Sequence, residues 1–190
     1  MRRSVRFCVE HSRRGPAFDV HSRRMSSGGL DHSSFSQRDG LAHAVGKRDG
    51  FAHTEVEVYL SLLRTTEELS VEFDELFKEH GLSQTQYNAM RILRGHGTPI
   101  PSGLVARQMV TREPDITRLL ERLVKQGYVR RKRSEDDRRV MLAALTQSGL
   151  DVLNELDGPV LALHRRQLKH MPPEALRELI VLLERIRSVR

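Results

Sequence analysis

The amino-acid sequence predicts a mainly α-helical fold in which two short helices are followed by a small β-hairpin, or wing. Pro101–Val110 has the apolar spacing of a short helix, and Thr111–Gln126 has that of a longer one. Tyr128–Arg133 and Val140–Leu145 are expected to form two strands, joined by the polar turn Ser134–Arg139. Two helices in a tight turn followed by a hairpin form a winged helix-turn-helix.

The second helix of this pair has a continuous apolar face. Its members are Ile116, Leu119, Leu120 and Leu123. Thr111 is expected to cap the N-terminus, and Pro114 is tolerated in the first turn, where amides have no intrahelical partner. Gly127 is expected to end the helix in a left-handed conformation. In the shorter helix before it, Ser102 is the expected cap.

Positive charge is concentrated in this region. Residues 107–139 hold 11 basic and 6 acidic side chains, a net charge of +5. The helix places Arg112, Asp115, Arg118 and Arg122 on or near the side opposite its apolar face, and the hairpin carries Arg130, Arg131, Lys132, Arg133, Arg138 and Arg139. Lys and Arg neutralise DNA phosphates, and Arg reads guanine edges in the major groove. The region is therefore predicted to bind duplex DNA, against the alternative of a merely solvated helix and hairpin.

The segments before this pair are expected to be two further helices and a short strand. Thr54–His80 has an apolar stripe on a strongly acidic helix, which predicts core or dimer packing. Leu82–His96 begins with the capping box of Ser83 and Gln86 and is expected to break at its glycines. Thr98–Pro101 could supply a first strand for the winged domain, which spans about residues 82–145.

The segments after the wing are expected to complete a dimer interface. Thr146 is expected to cap a helix that bends at Pro159, and a last helix follows Pro172. Long amphipathic helices at about residues 54–80 and 146–190 have little core of their own to cover, so a homodimer is predicted. The candidate dimerisation residues are Tyr59, Leu62, Leu176, Leu179, Ile180, Leu183 and Ile186. A symmetric dimer suits a pseudo-palindromic DNA site.

Residues 1–50 differ from the rest of the chain. They are rich in Arg, Ser, His and Gly, and they repeat HSRR and RDG-x-AH at a ten-residue step. The composition predicts a disordered basic tail, with a DNA-contacting arm or a translated leader upstream of the true start as alternatives. Residues 51–190 form the predicted globular part. The net charge of +7 favours an acidic partner.

Several function classes are excluded by what the sequence lacks. Cys8 is the single cysteine, so no disulfide framework or paired-cysteine metal site is expected. No apolar run is long enough to span a membrane, and a reducing cytoplasm is the default location. The sequence contains no phosphate-binding glycine loop, metal-binding His pair or nucleophile elbow, so an enzyme is not predicted. A winged-helix adaptor that binds protein instead of DNA is the other alternative.

The amino-acid sequence of residues 114–149 resembles the recognition helix and wing of the MarR family of bacterial transcription regulators. It reads PDITRLLERLVKQGYVRRKRSEDDRRVMLAALTQSG. The resemblance covers about Thr54 to Arg190, and Ser83–Leu93 resembles the family's second helix. It implies that Arg139 enters the minor groove at the wing tip and that Asp137 orients it. The turn MVTREP is one residue longer than the family's common pattern, which puts the helix start in doubt.

The resemblance also implies partners. They are double-stranded DNA, a second copy of the chain and a small aromatic effector that relieves DNA binding, with no cofactor or metal. Thiol sensing is not expected, because Cys8 lies in the predicted tail. The candidate DNA-binding residues are Thr111, Arg112, Asp115, Thr117, Arg118, Arg122, Arg133, Asp137, Arg138 and Arg139.

Overall fold

The computed structural model describes residues 40–47 and 49–188. The chain divides into two units, Met1–Gly50 and Phe51–Arg190. In the first unit, helix α1 (Leu41–Ala44) forms a single turn. The predicted disorder of residues 1–39 lies outside the described residues and stays a prediction, whereas α1 falls within the segment expected to be disordered.

The second unit is mainly helical with one small sheet. Its elements in order are α2 (Thr54–Glu79), α3 (Gln84–His96), β1 (Ile100–Pro101), α4 (Ser102–Gln108), α5 (Ile116–Lys125), β2 (Val129–Arg133), β3 (Met141–Leu145), α6 (Gln147–Leu168) and α7 (Pro173–Ser188). The three strands are antiparallel in the order β1-β3-β2, so Ala143 lies between Ile100 and Arg131. The predicted winged helix-turn-helix, including its first strand, is confirmed.

A single apolar core joins α2, α3, α4, α5, the sheet and α6. Its fully buried members include Met90, Leu93, Val105, Leu120, Leu123, Leu153 and Leu156. Helix α3 lies at the centre because Ala89, Met90 and Leu93 are buried on it together. The apolar face predicted for the second helix of the pair is confirmed, since Leu119, Leu120 and Leu123 all enter this core. The core therefore fixes α5 with one face inward and the opposite face in solvent.

The ends of α3 follow from local chemistry. The Ser83 hydroxyl accepts from the Gln86 amide at 3.2 Å, and the Gln86 side chain accepts from the Ser83 amide at 2.9 Å, so the predicted capping box is confirmed. Gly97, with φ 66°, ends the helix in the left-handed conformation. Gly95 does not break the helix, contrary to the sequence-based expectation, because helical hydrogen bonding continues to His96.

Two other predicted caps are wrong. Helix α5 begins at Ile116 and not at Thr111, and its cap is Asp115, whose carboxylate accepts from the Arg118 amide at 3.0 Å. Pro114 therefore precedes the helix, where its ring disfavours a helical residue before it. Ser102 does not cap α4 either, because its hydroxyl donates to the Met141 carbonyl of β3 at 3.1 Å.

Helix α6 begins against the start of the wing. The Thr146 hydroxyl accepts from the Gly149 amide at 3.1 Å, which confirms the predicted cap, and donates to the Gly127 carbonyl at 2.6 Å. Gly127 itself has φ 81°, the left-handed conformation expected for it. Helix α6 continues without interruption past Pro159, and α7 starts at Pro173. No residue of α7 is buried among the described residues.

Candidate nucleic-acid interface

The outer face of α5 carries the candidate base-reading side chains. Thr117, Arg118 and Arg122 are exposed, on the side of the helix opposite the buried leucines. The Arg118 side chain is 76% exposed, and its ion pair with Asp115 leaves most of the guanidinium open to a partner in solvent. A helix of this diameter fits the major groove, where Arg makes its most specific contacts. Helix α5 therefore has a packed apolar side and a free basic side.

Asp115 is engaged with the helix that it precedes. One carboxylate oxygen accepts from the Arg118 amide, and the other lies 3.2 Å from the Arg118 Nε. The carboxylate thus satisfies a first-turn amide and offsets part of the Arg118 charge. This arrangement places Asp115 as a capping and orienting residue for Arg118, and its negative charge would be repelled by DNA phosphates. The sequence could have shown this through the Asp-x-x-Arg spacing, but the predicted start at Thr111 obscured it.

The connection between α4 and α5 is an exposed loop. Thr111 and Arg112 are exposed, and Val110 is 86% exposed beside them. The half-buried Glu113 accepts from the Asp115 amide at 3.3 Å, which holds the loop against the start of α5. Thr111 and Arg112 therefore lie in a loop that approaches α5 from its N-terminal side.

The wing tip is ordered by hydrogen bonds to its own backbone. The Ser134 amide donates to the Val140 carbonyl at 2.9 Å, and the Arg133 guanidinium donates to the Arg138 carbonyl at 2.7 Å. The Asp137 carboxylate accepts from the Arg139 backbone amide at 2.9 Å. Asp137 therefore shapes the turn at the backbone, and the ion pairs of the described residues include none between its carboxylate and the Arg139 guanidinium. Arg138 and Arg139 are exposed at this tip.

The basic run of β2 is divided between two faces. Val129 is buried and Arg131 is half-buried on the inner side, whereas Arg130 and Lys132 are exposed on the outer side. The Arg131 side chain is only 14% exposed and lies 3.7 Å from Glu121 of α5. Its Nε is buried without a hydrogen-bond partner among the described residues. Arg131 thus joins the wing to the reading helix, so the four basic residues of this strand do not form one surface as the sequence suggested.

Polar contacts also join the winged domain to the flanking helices. Arg94 of α3 donates both terminal nitrogens to Asp157 of α6, at 2.9 and 2.7 Å. This charged hydrogen bond lowers the pKa of Asp157 and raises the pKa of Arg94. Between α2 and α6, Arg166 pairs with Glu72, and Gln167 donates to the Leu69 carbonyl at 3.0 Å. These contacts hold α2 and α6 against each other and α6 against α3.

The candidate dimerisation residues are only partly covered. Tyr59 of α2 is 62% exposed, and Leu179, Ile180 and Ile186 of α7 are exposed. Leu62, Leu176 and Leu183 are half-buried. Large apolar side chains that stay exposed along a helix mark an interaction surface.

Two other classes of feature are absent from residues 40–47 and 49–188. No group of three His, Cys, Asp or Glu side chains there could hold a metal ion. No helix in that part of the chain is long and apolar enough to cross a membrane.

Comparison with known proteins decides the family. The MarR family model matches residues 82–141, from the start of α3 to the start of β3. A MarR transcription factor from Planctomyces limnophilus is 40% identical in sequence, with 71% of this chain and 98% of that chain covered and a TM-score of 0.56. The chain belongs to the MarR family. It is therefore a DNA-binding transcription regulator that acts as a dimer, and not an enzyme.

Other relatives extend this MarR comparison. The organic hydroperoxide resistance transcriptional regulator of Bacillus subtilis is 30% identical over 101 residues, which are 52% of this chain and 68% of the relative. The homoprotocatechuate degradative operon repressor of Escherichia coli is 26% identical over 125 residues, or 66% of this chain and 84% of the relative. AbsC of Streptomyces coelicolor, at 23% identity and a TM-score of 0.66 over 73% of this chain and 95% of that chain, shares the fold.

Proposed function

We propose that this MarR-family regulator reads a pseudo-palindromic operator with α5 in the major groove and the β2–β3 wing over the flanking minor groove. The observation that carries the proposal is the division of α5 into a buried leucine face and an exposed face with Thr117, Arg118 and Arg122. In helix-turn-helix proteins, the N-terminal part of the second helix contacts base edges. Arg118 lies in the first turn of α5 and Arg122 one turn further along the same face, so at least one of them reads a base.

The wing contributes a different kind of contact. Arg138 and Arg139 are exposed at a tip that Arg133 and Asp137 order. A narrow minor groove concentrates negative potential and attracts Arg, while its edges distinguish little beyond A·T from G·C. We assign to Arg139 this electrostatic role, and to Thr111 and Arg112 contacts with the phosphate backbone beside α5.

Dimerisation would place two reading helices on one face of the operator. The exposed apolar residues of α2 and α7 support the use of Tyr59, Leu62, Leu176, Leu179, Ile180, Leu183 and Ile186 in this contact. A two-fold dimer presents the same helix twice, which matches an operator with two inverted half-sites.

The regulatory part of the proposal is repression in the cytoplasm, relieved by a small aromatic effector. A relative of this chain is a repressor of a homoprotocatechuate degradative operon, and the substrate named there is aromatic. Another relative is named for organic hydroperoxide resistance. A cysteine sensor needs a built pocket, and Cys8 lies in the segment whose composition predicts disorder, so an aromatic effector is preferred to a thiol-based response.

The decisive experiment separates base reading from electrostatic contact. Arg118→Ala, Arg122→Ala, Asp137→Ala and Arg139→Ala are compared with the native chain for binding to a randomised site library at several salt concentrations. Loss of a base-reading Arg costs about 1–3 kcal/mol and relaxes preference at one base pair. Arg139→Ala should weaken binding and flatten the salt dependence, with little effect on base preference outside the flanks. Asp137→Ala should show a milder form of the same defect, because it loosens only the turn.

Arg177→Ala provides the matched control. The Arg177 side chain is 73% exposed and pairs with Glu174 three residues earlier, much as Arg118 pairs with Asp115. Its loss removes the same charge from a helix that does not read DNA, so base preference should stay unchanged. If neither Arg118→Ala nor Arg122→Ala alters base preference, α5 is not the reader. If Arg139→Ala binds like the native chain, the assignment of the wing is wrong.

A further inference from the structure

Gln86 is the one polar or charged side chain that is buried among the described residues, at 9% exposure. A buried amide group must find partners for its donor and its acceptor. Its Oε1 accepts from the Ser83 amide at 2.9 Å, within the capping box of α3. Its Nε2 donates to the Oε1 of Gln126 at 3.0 Å, 40 residues further along the chain. The sequence shows the first contact through the Ser-x-x-Gln spacing but gives no signal for the second.

Gln126 continues this contact to a third element. It is the residue that ends α5, and its Nε2 donates to the Gly81 carbonyl at 2.7 Å. Gly81 follows the last turn of α2 and has φ 67°, which turns the chain toward α3. The amides of Gln86 and Gln126 therefore connect the C-terminus of α2, the N-terminus of α3 and the C-terminus of α5. We call this pair the glutamine relay.

The hydrogen bonds of the relay restrict the orientation of α5 more than its apolar contacts do. The leucines of α5 fix its depth and its inward face, but apolar contact is non-directional and tolerates small rotations. Hydrogen bonds weaken steeply when they are misaligned. The bonds that join Gln126 to the Gly81 carbonyl and to Gln86 of α3 therefore resist tilting of α5 about its C-terminal end.

From this geometry we propose that Gln86 and Gln126 are positioning residues that set the half-site spacing accepted by the dimer. The inference rests on the proposed function, in which α5 reads a half-site and α2 contributes to the dimer. Helix α5 has 10 residues, or about 15 Å of length, so a tilt of about 10° at its C-terminus moves its N-terminus by roughly 2–3 Å. Opposite shifts in two protomers sum to about 5 Å, more than the rise of about 3.4 Å per base pair.

Loss of the relay should therefore broaden spacing tolerance. One base pair inserted between the half-sites moves them apart and also turns them by about one-tenth of a helical turn. The native dimer should bind the operator with the inserted base pair much more weakly than the natural operator. A dimer in which α5 can tilt should absorb part of it, at the expense of affinity for the natural spacing.

The test uses the full chain and an operator selected with it from a random duplex library. Affinity is measured for that operator and for the same operator with one central base pair inserted, and the ratio of the two affinities is the readout. The ratio is the affinity for the selected operator divided by the affinity for the operator with the inserted base pair, so a lower ratio means weaker discrimination of spacing. Gln126→Ala should lower this ratio by about three- to tenfold, as expected from the net contribution of one or two hydrogen bonds. Gln126→Glu keeps an acceptor for Gln86 but cannot donate to the Gly81 carbonyl, so it should give an intermediate ratio.

Ser83→Ala is the matched control for stability. It removes the hydroxyl that caps α3, whereas the bond of the Gln86 side chain to the Ser83 backbone amide and the whole Gln86–Gln126 contact remain. Its denaturation midpoint should fall, while its spacing ratio should equal that of the native chain. A ratio that falls as much in Ser83→Ala as in Gln126→Ala would show a general loss of stability and overturn the relay.

The remaining outcomes separate the two proposals. A native chain that selects an operator and discriminates spacing, with Gln126→Ala unchanged in that ratio, overturns the relay and leaves the operator-reading function standing. A native chain that selects an operator but binds both spacings equally also overturns the relay. A native chain that selects no sequence from the library overturns the proposed operator reading itself.

Discussion

Replacement of Gly149 by Ala is expected to destabilise the fold, although Ala is the better helix former. Gly149 lies in the first turn of α6 and is buried against Tyr128, which precedes β2, and against Leu145 at the end of β3. A Cβ at this position would lie 2.2 Å from the Tyr128 carbonyl oxygen and 3.0 Å from Leu145 Cδ2. Ordinary contacts begin near 3.5 Å, so the helix and the Tyr128 peptide would have to separate by about 1 Å.

The obstructing carbonyl cannot move freely. It accepts from the Thr146 amide at 3.0 Å, and the Thr146 hydroxyl both donates to the Gly127 carbonyl and accepts from the Gly149 amide. Overpacking costs about 1–3 kcal/mol, and a weakened cap costs up to about 1 kcal/mol more. The higher helix propensity of Ala relative to Gly offsets about 1 kcal/mol of this loss in folding stability. The net expectation is a loss of about 2 kcal/mol, or about 4–8 °C in Tm for a chain of this size.

Urea unfolding followed by circular dichroism, at one fixed protein concentration, measures the change. Gly95→Ala is the matched control, because Gly95 also lies in a helix and a Cβ there meets nothing within 4 Å. That variant should be unchanged or up to about 1 kcal/mol more stable. A Gly149→Ala protein as stable as the native chain would refute the close packing of α6 on Tyr128. Equal losses in both variants would show that the close approach is not the cause.

Two further predictions concern assembly and pH. The double variant Leu179→Glu, Leu183→Glu should raise the dimer dissociation constant by about tenfold or more, because the dimer would have to bury unpaired carboxylates. Sedimentation measures this constant. A dimer that stays tight in the variant would contradict the role of α7. Asp157→Asn should cost under about 1 kcal/mol at pH 7, since the Arg94–Asp157 pair is partly exposed. The pKa of Asp157 is lowered in the folded state, so the ionised carboxylate stabilises the fold. This stabilisation is fully present when the pH is above the ordinary pKa near 3.8, and it is lost as the pH falls through the lowered pKa of the folded state. The stability gap between the two proteins should therefore narrow below about pH 4 in urea titrations, and a gap that widens there would contradict the pairing.

The division between local and long-range information explains which expectations held. The capping box of α3, the left-handed Gly127, the Thr146 cap and the apolar face of α5 each depend on residues within one turn of each other. Such signals are present in the order of residues itself, because the partners are covalently close. The winged helix-turn-helix could therefore be predicted from the sequence.

The errors occurred where a side chain had two partners to choose from. Thr111 and Asp115 both resemble caps for α5, and Asp115 is the one whose carboxylate accepts from a first-turn amide, because the helix begins after Pro114. Ser102 resembles a cap for α4, but β3 brings the Met141 carbonyl within reach of its hydroxyl. For Ser102, helix-capping propensity was a valid but weak preference, and a tertiary contact outweighed it.

What the sequence by itself determined is the order of helices and strands from α2 to α7, the caps of α3 and α6, and the positive charge on α5 and the wing. What only the tertiary structure decided is how that charge is shared: Arg131 turns inward to Glu121, Arg133 braces the wing, and Arg118 remains exposed. The same holds for the relay, which joins Gln86 to Gln126 across 40 residues. The physical reason is that hydrogen bonds and ion pairs act over a few ångströms, so a side chain's partner depends on which distant segment the folded core places beside it.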